Sequence, residues 1–307
     1  MQALYFQDKR ATLKRVPLPA TPAGFALVRV IASGICSTDL QLLRGYYDFK
    51  GIPGHEFVGR VEGPTGSAWI GKRVVGEINL ACRACEWCRK GWGRHCPNRK
   101  VLGIVKHPGA HAEWLSLPEV NLHEVPSELT DVEALFTEPL AAACEILDQI
   151  AVGVGTRAAV LGPGKLGRLV AQVLRSAGAD VTMVGRPPNS RKAKSDPMKP
   201  ASFDLVVEAS GSPEGMPRAL RMVRPRGTIV WKSTHHGAAK FDAAPLVVNE
   251  VTVVGSRCGR FAPALELLRR RRVEVASLLA AEFPLSKGPK AMAEAAKAGM
   301  LKVVLRP

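Results

Sequence analysis

The stretch "AAVLGPGKLGRLVAQVL", residues 158–174, runs an apolar strand into three glycines, Gly162, Gly164 and Gly167, and then into an amphipathic helix. This G-x-G-x-x-G spacing constrains the fold more than any other feature, because it has a use where a parallel strand turns directly into a helix. Gly162 permits the tight turn, Gly164 lets the backbone approach a pyrophosphate, and Gly167 lets helix pack on strand. The opening of that helix, Lys165 and Leu166 onward, offers free N–H groups and positive potential to the anion. The alternation continues with "DVTMVG" (strand), "FDLVVEASG" (strand), "MPRALRMV" (helix) and "GTIVWKS" (strand). Such an order implies a doubly wound parallel α/β sheet.

The part before it reads differently. Residues 1–130 carry short β-branched runs ("FALVRVIASGIC", "EFVGRVEG", "GKRVVGE") separated by Gly and Pro, the pattern of short strands joined by turns. From Thr130 the pattern turns helical in "TDVEALFTEPLAAACEILDQI", and the closing stretch, "APALELLRRRRV" to "LKVVLRP", mixes helix and strand and is expected to fold back on the first half. At 307 residues, 46% of them hydrophobic, the chain has enough material for two domains with cores.

Charge sets further limits. A net +16 invites a nucleic-acid partner, but the cations are spread along the chain and aromatic residues are only 6%, too few for a stacking surface. The run Arg269–Arg272 reads as a solvated helix end. No eighteen apolar residues are consecutive and "MQALYFQDKR" lacks the pattern of a secretory signal. A cytoplasmic protein without nucleic-acid or membrane partners is therefore expected, and in that reducing compartment its seven cysteines are not expected to pair.

Four of those cysteines, Cys82, Cys85, Cys88 and Cys96, fall in "CRACEWCRKGWGRHC", a C-x2-C-x2-C-x7-C spacing. One tight loop can wrap four such thiolates around a tetrahedral ion, and zinc suits soft sulfur without redox chemistry of its own. Four sulfurs close the shell, so this would be a structural site, with His95 a bystander. A second, mixed set is offered by Cys36 in "CSTDL" and by His55 and Glu56 in "PGHEFVGRV", with Glu138 in "FTEPLAAACEIL" a further carboxylate. Three protein ligands and an open position are what a catalytic zinc needs.

Taken together, "ALVRVIASGICSTDL", "GHEFVGRV", the cysteine lobe, "EPLA", the glycine turn, "VVEASGS" and "LKVVL" resemble the zinc-dependent medium-chain dehydrogenase/reductases, the alcohol and polyol dehydrogenase superfamily. The resemblance runs nearly end to end. It implies a GroES-like β-rich catalytic domain over residues 1–139 and 262–307, with a structural zinc lobe at 82–96, and an inserted Rossmann domain over 140–261. It implies two zinc ions per chain, with Cys36, His55, Glu56 and Glu138 as the catalytic ligand set. Thr38 is similar to the hydroxyl that relays the substrate proton, Asp39 to the carboxylate that orients the zinc-bound histidine, and Ser210 falls among the expected cofactor contacts. The implied reaction is hydride transfer between an alcohol or polyol, or the matching aldehyde or ketone, and NAD or NADP. A homodimer or homotetramer is expected by the same likeness. The alternative reading is a catalytically silent nucleotide-binding zinc protein.

Cofactor choice is partly readable. A carboxylate ending the second Rossmann strand would bind the ribose 2′-OH of NAD and repel the 2′-phosphate of NADP. Gly185 and Arg186 stand there instead, followed by Arg191, Lys192 and Lys194, so NADP is the expected preference. Only residues 186–202, with four prolines, separate that strand from the next. The sheet is therefore expected to lack the edge βα unit of fuller relatives. Tyr46, Tyr47, Phe49 and Trp114 are candidate cleft aromatics, and His235 and His236 read as surface histidines.

Overall fold

The computed structural model describes residues 1–185, 200–234 and 239–307, and the chain divides into two compact units. The first comprises Met1–Glu138, Arg260–Arg271 and Val275–Pro307; the second comprises Pro139–Gly259 and Arg272–Glu274.

The first unit opens with a hairpin of β1 (Gln2–Gln7) and β2 (Arg10–Arg15). The long strand β3 (Phe25–Ile35) follows and ends at Cys36, where the chain turns into helix α1 (Ser37–Leu43). Asp39, at the third position of α1, reaches back to accept the Cys36 N–H at 2.8 Å, half of a capping box that starts the helix. Strands β4 (Glu56–Gly63) and β5 (Arg73–Gly76) pair antiparallel with one another and extend the sheet from β3. The cysteine lobe then leaves the sheet, with β6 (Asn79–Leu80), helix α2 (Glu86–Arg89), β7 (Lys100–Leu102) and β8 (Lys106–His107). The chain returns through β9 (Trp114–Pro118) and β10 (Leu122–Glu124) to α3 (Asp131–Leu135) and α4 (Thr137–Gln149). Thr130 caps α3, its hydroxyl accepting the Glu133 N–H at 3.2 Å.

The second unit is the alternating segment. It contains β11 (Arg157–Leu161), α5 (Lys165–Ser176), β12 (Asp180–Val184), β13 (Phe203–Glu208), α6 (Gly215–Met222), β14 (Val223–Trp231), α7 (Ala244–Val248) and β15 (Thr252–Gly255). All its strand pairs are parallel, in the order β12-β11-β13-β14-β15. Among the described residues β12 is therefore an edge strand, as the short connection to β13 implies. The sheet's α6 side packs Ala159, Leu161, Val184 and Val206 against Met216, Ala219 and Met222. Burying each of the larger of these side chains is worth roughly 1.5–3 kcal/mol.

The chain then re-enters the first unit through α8 (Phe261–Arg269), β16 (Leu279–Pro284), α9 (Gly288–Ala295) and β17 (Lys302–Arg306). β17 pairs antiparallel with β3, completing the strand path β10-β5-β4-β3-β17-β16 with β9 also on β3. The expected folding back is this pairing. The arginine run ends α8 as a solvated surface: Arg269 and Arg270 both pair with Glu266, and Arg271 pairs with Glu133. Among the described residues no helix is long and apolar enough to cross a membrane.

Candidate active site

Strand register brings the mixed ligand set together. Gly34 of β3 stands opposite Glu56 of β4, which places His55 and Glu56 beside Cys36 at the end of β3. Cys36 Sγ, a nitrogen of His55 and a carboxylate oxygen of Glu56 lie within 4.8 Å of one another. His55 and Glu56 are buried and Cys36 half-buried, so one side of the group stays accessible. Thiolate, imidazole and carboxylate form a zinc-type donor set, and the spacing leaves room for one ion at their centre.

Asp39 organises this group from beneath. Its carboxylate is fully buried, accepts N–H bonds from Cys36 (2.8 Å) and Gly54 (3.2 Å), and lies 3.5 Å from His55 Nδ1. Burial alone would raise its pKa, but the neighbouring His55 and His111 carry it well below the usual carboxylate range. Burial likewise pulls His55 down, and the charges of Asp39 and Cys36 override this and lift it well above the ordinary imidazole value. With Nδ1 turned to Asp39, Nε2 is the ring nitrogen left for an ion. A cation between His55 and Cys36 would take the place of the proton that this field attracts.

Glu138, the last residue of the first unit's opening segment, stands half-buried outside that 4.8 Å group. Burial, with help from the charges of Glu56 and Asp39, pushes its pKa up to about 7 against the pull of His55 and Lys302. Thr38, in the first turn of α1, is half-buried with Oγ1 3.8 Å from Cys36 Sγ. Two further side chains belong to the group and were not singled out as site residues in the sequence. Lys302 of β17 makes a buried ion pair with Glu56, and His111 lies between Ser33 and Asp39.

The four cysteines of the lobe converge as their spacing predicts. Sγ–Sγ separations are 3.5 Å (Cys85–Cys88), 3.7 Å (Cys85–Cys96) and 3.9 Å (Cys82–Cys88). A tetrahedron with bonds of about 2.3 Å has edges near ~3.8 Å, so the cage has the size of a zinc–thiolate centre. The N–H groups of Ala84 and Cys85 draw the Cys82 thiol down to about 6, whereas desolvation pushes Cys88 up to about 12. Four thiols this close do not ionise together without a cation.

In the second unit Gly162 has φ +102°, and a Cβ there would lie 2.6 Å from the carbonyl oxygen of Ala209. Gly164 caps α5 and faces open space, with no atom within 4 Å of a Cβ position, while Lys165 and Leu166 form the first turn behind it. Room for a ligand thus opens at the start of the helix, at the carboxyl ends of the strands. Ser210 is committed to Glu208, to which both its N–H (2.8 Å) and its hydroxyl donate. Gly185 follows β12, and its carbonyl accepts from the Arg218 guanidinium at 3.0 Å. Arg218 was not among the expected residues. Arg186, Arg191, Lys192, Lys194, His235 and His236 lie outside the described residues. Of the candidate cleft aromatics, Tyr46 and Tyr47 have ring centroids 4.2 Å apart, Phe49 packs edge-on to Phe6, and Trp114 sits on β9 opposite Arg29.

Residues 22–127 match the alcohol dehydrogenase GroES-like domain and residues 171–270 match the zinc-binding dehydrogenase domain. D-Altritol 5-dehydrogenase of Agrobacterium fabrum is 32% identical over 323 residues, covering 94% of each chain. The chain belongs to the zinc-dependent medium-chain dehydrogenase/reductase family. Sorbitol dehydrogenase of Halalkalibacterium halodurans is 28% identical with 91% of each chain covered. Among solved structures, a zinc-binding dehydrogenase of Sinorhizobium meliloti bound to NADP superposes with a TM-score of 0.89 at 26% identity, over 100% of this chain and 99% of that one. This medium-chain dehydrogenase is accordingly an oxidoreductase of the zinc alcohol and polyol type, with a GroES-like domain and a Rossmann domain, and the silent reading is set aside.

Proposed function

We propose that the enzyme oxidises a secondary alcohol of a polyhydroxylated substrate to the ketone with NADP, and holds two zinc ions per chain. The observation that carries this reading is the convergence of Cys36, His55 and Glu56 within 4.8 Å, with the Thr38 hydroxyl beside them. The named activities of the relatives, on D-altritol and sorbitol, supply the substrate class.

Cys36, His55 and a carboxylate, Glu56 or Glu138, would hold the catalytic ion, and Cys82, Cys85, Cys88 and Cys96 the structural one. Zinc, when bound, supplies Lewis acidity that lowers the pKa of an alcohol oxygen toward neutrality. Thr38 would take the hydroxyl proton at Oγ1 while passing its own outward, and Asp39 keeps His55 in one tautomer; a nicotinamide, when bound, would supply the hydride acceptor. The balance is one alcohol and NADP⁺ to one ketone, NADPH and a proton. Gly162, Gly164 and Gly167 and the first turn of α5 would hold the pyrophosphate, and the absence of a carboxylate at Gly185 favours NADP.

The test is a screen of C4–C6 polyols and sugar acids with NADP and with NAD, followed by the near-ultraviolet absorbance of reduced nicotinamide. A higher kcat/KM with NADP is expected. A higher value with NAD overturns the cofactor assignment, and near-normal turnover by Cys36→Ser or His55→Ala overturns the metal-centred chemistry. Size-exclusion chromatography with light scattering reads the expected dimer or tetramer.

A further inference from the structure

The imidazole of His111 is as deeply buried as the apolar core around it, and its backbone is fixed on both sides. Its N–H donates to the Pro53 carbonyl at 3.0 Å and its carbonyl accepts from Leu4 at 2.8 Å. The ring packs on Gly54, where a Cβ would lie 2.6 Å from His111 Nδ1; with φ +99° as well, that position admits only glycine without strain. His111 Nδ1 is 2.9 Å from the hydroxyl of Ser33, and Nε2, which has no hydrogen-bond partner at ordinary distance, faces Asp39 Oδ2 at 3.5 Å.

Chemistry decides how this chain of groups is oriented. The Asp39 carboxylate only accepts, so the imidazole presents Nε2–H to it. Nδ1 must then accept, and the Ser33 hydroxyl donates. The result is a one-directional series, Ser33 to His111 to Asp39. One Asp39 oxygen is held by Cys36 N–H and faces His111; the other is held by Gly54 N–H and faces His55. Two imidazoles thus share one buried carboxylate from opposite oxygens. Without His111 the carboxylate would keep its two backbone donors but would lose the imidazole that faces its Oδ2.

We propose that His111 is a positioning residue for the catalytic metal: by fixing the Asp39 carboxylate it sets the tautomer and direction of His55. The inference rests on the reading that Cys36 and His55 hold zinc, and it predicts an effect on metal retention that packing alone would not produce.

The experiment uses the full chain loaded with zinc. Wild type, His111→Phe, His111→Gln and Ser33→Ala are each challenged with graded chelator, and zinc per chain is measured alongside the visible spectrum of the cobalt-exchanged protein. The four-cysteine lobe is the internal control. His111→Phe is expected to lose the mixed-site metal at roughly 10–100-fold lower chelator concentration than wild type, the size of effect that support of a metal-bound histidine commonly has. Its thiolate-to-cobalt bands from the lobe should be unchanged. His111→Gln, which keeps an N–H donor, should recover part of the loss, and Ser33→Ala should show a smaller loss in the same direction. Equal retention by wild type and His111→Phe overturns the proposal. If His111→Phe does not fold, equal retention by both of the other variants overturns it. Wild type that holds only the lobe metal sinks the underlying zinc reading instead, a result distinct from the first.

Discussion

Lys302 Nζ and Glu56 Oε2 form an ion pair buried on both sides, joining residues 246 positions apart in the chain. Register explains the meeting. Gly34 of β3 stands opposite Glu56 on one side and Val304 of β17 on the other, and Lys302, two residues before Val304, points to the same face. Gly34 supplies the space, since a Cβ there would collide with the Glu56 carboxylate and lie 3.2 Å from Lys302 Cδ. The Phe136 ring, 5.7 Å from Nζ, covers the ammonium. Burial works against the Lys302 charge, and Glu56 more than offsets it, raising its pKa.

A buried pair is costly to break singly and cheap to replace as a whole. Lys302→Met is expected to destabilise the zinc-free protein by about 3–5 kcal/mol, because Glu56 then loses the cation buried beside it. The double variant Lys302→Met/Glu56→Gln should recover most of that loss. Urea unfolding of wild type, both single variants and the double variant measures the coupling, and additivity of the single effects would refute it.

The lobe should be separable from the rest. Cys96 is fully buried among the four thiols, so Cys96→Ser is expected to reduce zinc from two ions to one per chain and to lower the melting temperature by roughly 5–10 °C, as for a loss of a few kcal/mol. Metal analysis with calorimetry checks both. Zinc that stays at two would show that the cage does not hold it.

How much of this was legible in the sequence follows from distance along the chain. The glycine turn and the cysteine quartet are local, so spacing alone places their atoms. Cys36 and His55 are nineteen positions apart and needed the β3–β4 register, yet each stood in a motif that could be read. His111 carried no such signal, and Lys302, although it lies in the quoted "LKVVL", could not be read there as a partner of Glu56, because what makes both functional is the strand they lie beside. Glu138 was legible as a carboxylate at the domain junction, but its position outside the 4.8 Å group depends on where α4 begins relative to the sheet. Arg218 was hidden similarly: it reaches the end of β12 only because α6 packs on that side of the sheet.

That placement bears on cofactor choice. The Arg218 guanidinium sits at the carbonyl of Gly185, the position where an NAD-binding chain carries its carboxylate. A charge-assisted contact to a 2′-phosphate is worth about 1.5–3 kcal/mol. Arg218→Ala is expected to raise KM for NADP by roughly tenfold or more and to leave KM for NAD within about twofold. Equal changes for both would remove Arg218 from the discrimination.

Acid stability should depend on Glu77. Its carboxylate accepts the Phe261 N–H at 3.2 Å, capping the start of α8, and lies 3.4 Å from His123. Partial burial raises its pKa, but His123 and the Phe261 N–H prevail and hold it below the ordinary value. A depressed carboxylate contributes stability that is present above the unfolded value, near ~4.3, and is lost as pH falls through the lower folded value. Wild type should therefore be more stable than Glu77→Gln at pH 7, with the difference shrinking below about pH 4.5. Melting temperatures of both proteins from neutral to acid pH test this, and a constant difference across the range would contradict it.

Thr38 separates proton relay from metal binding. Its hydroxyl is 3.8 Å from Cys36 Sγ, and zinc takes its protein ligands from Cys, His and Asp/Glu, so removing the hydroxyl should leave the ion in place. Thr38→Ala is expected to keep two zinc ions per chain and an unchanged cobalt spectrum while kcat/KM falls by about 10²–10⁴, the range for loss of a positioned proton carrier. Thr38→Ser keeps the hydroxyl and should retain activity within about tenfold. If Thr38→Ala lost zinc together with activity, the residue would be supporting the ligand shell, and the proton would have to leave by another group.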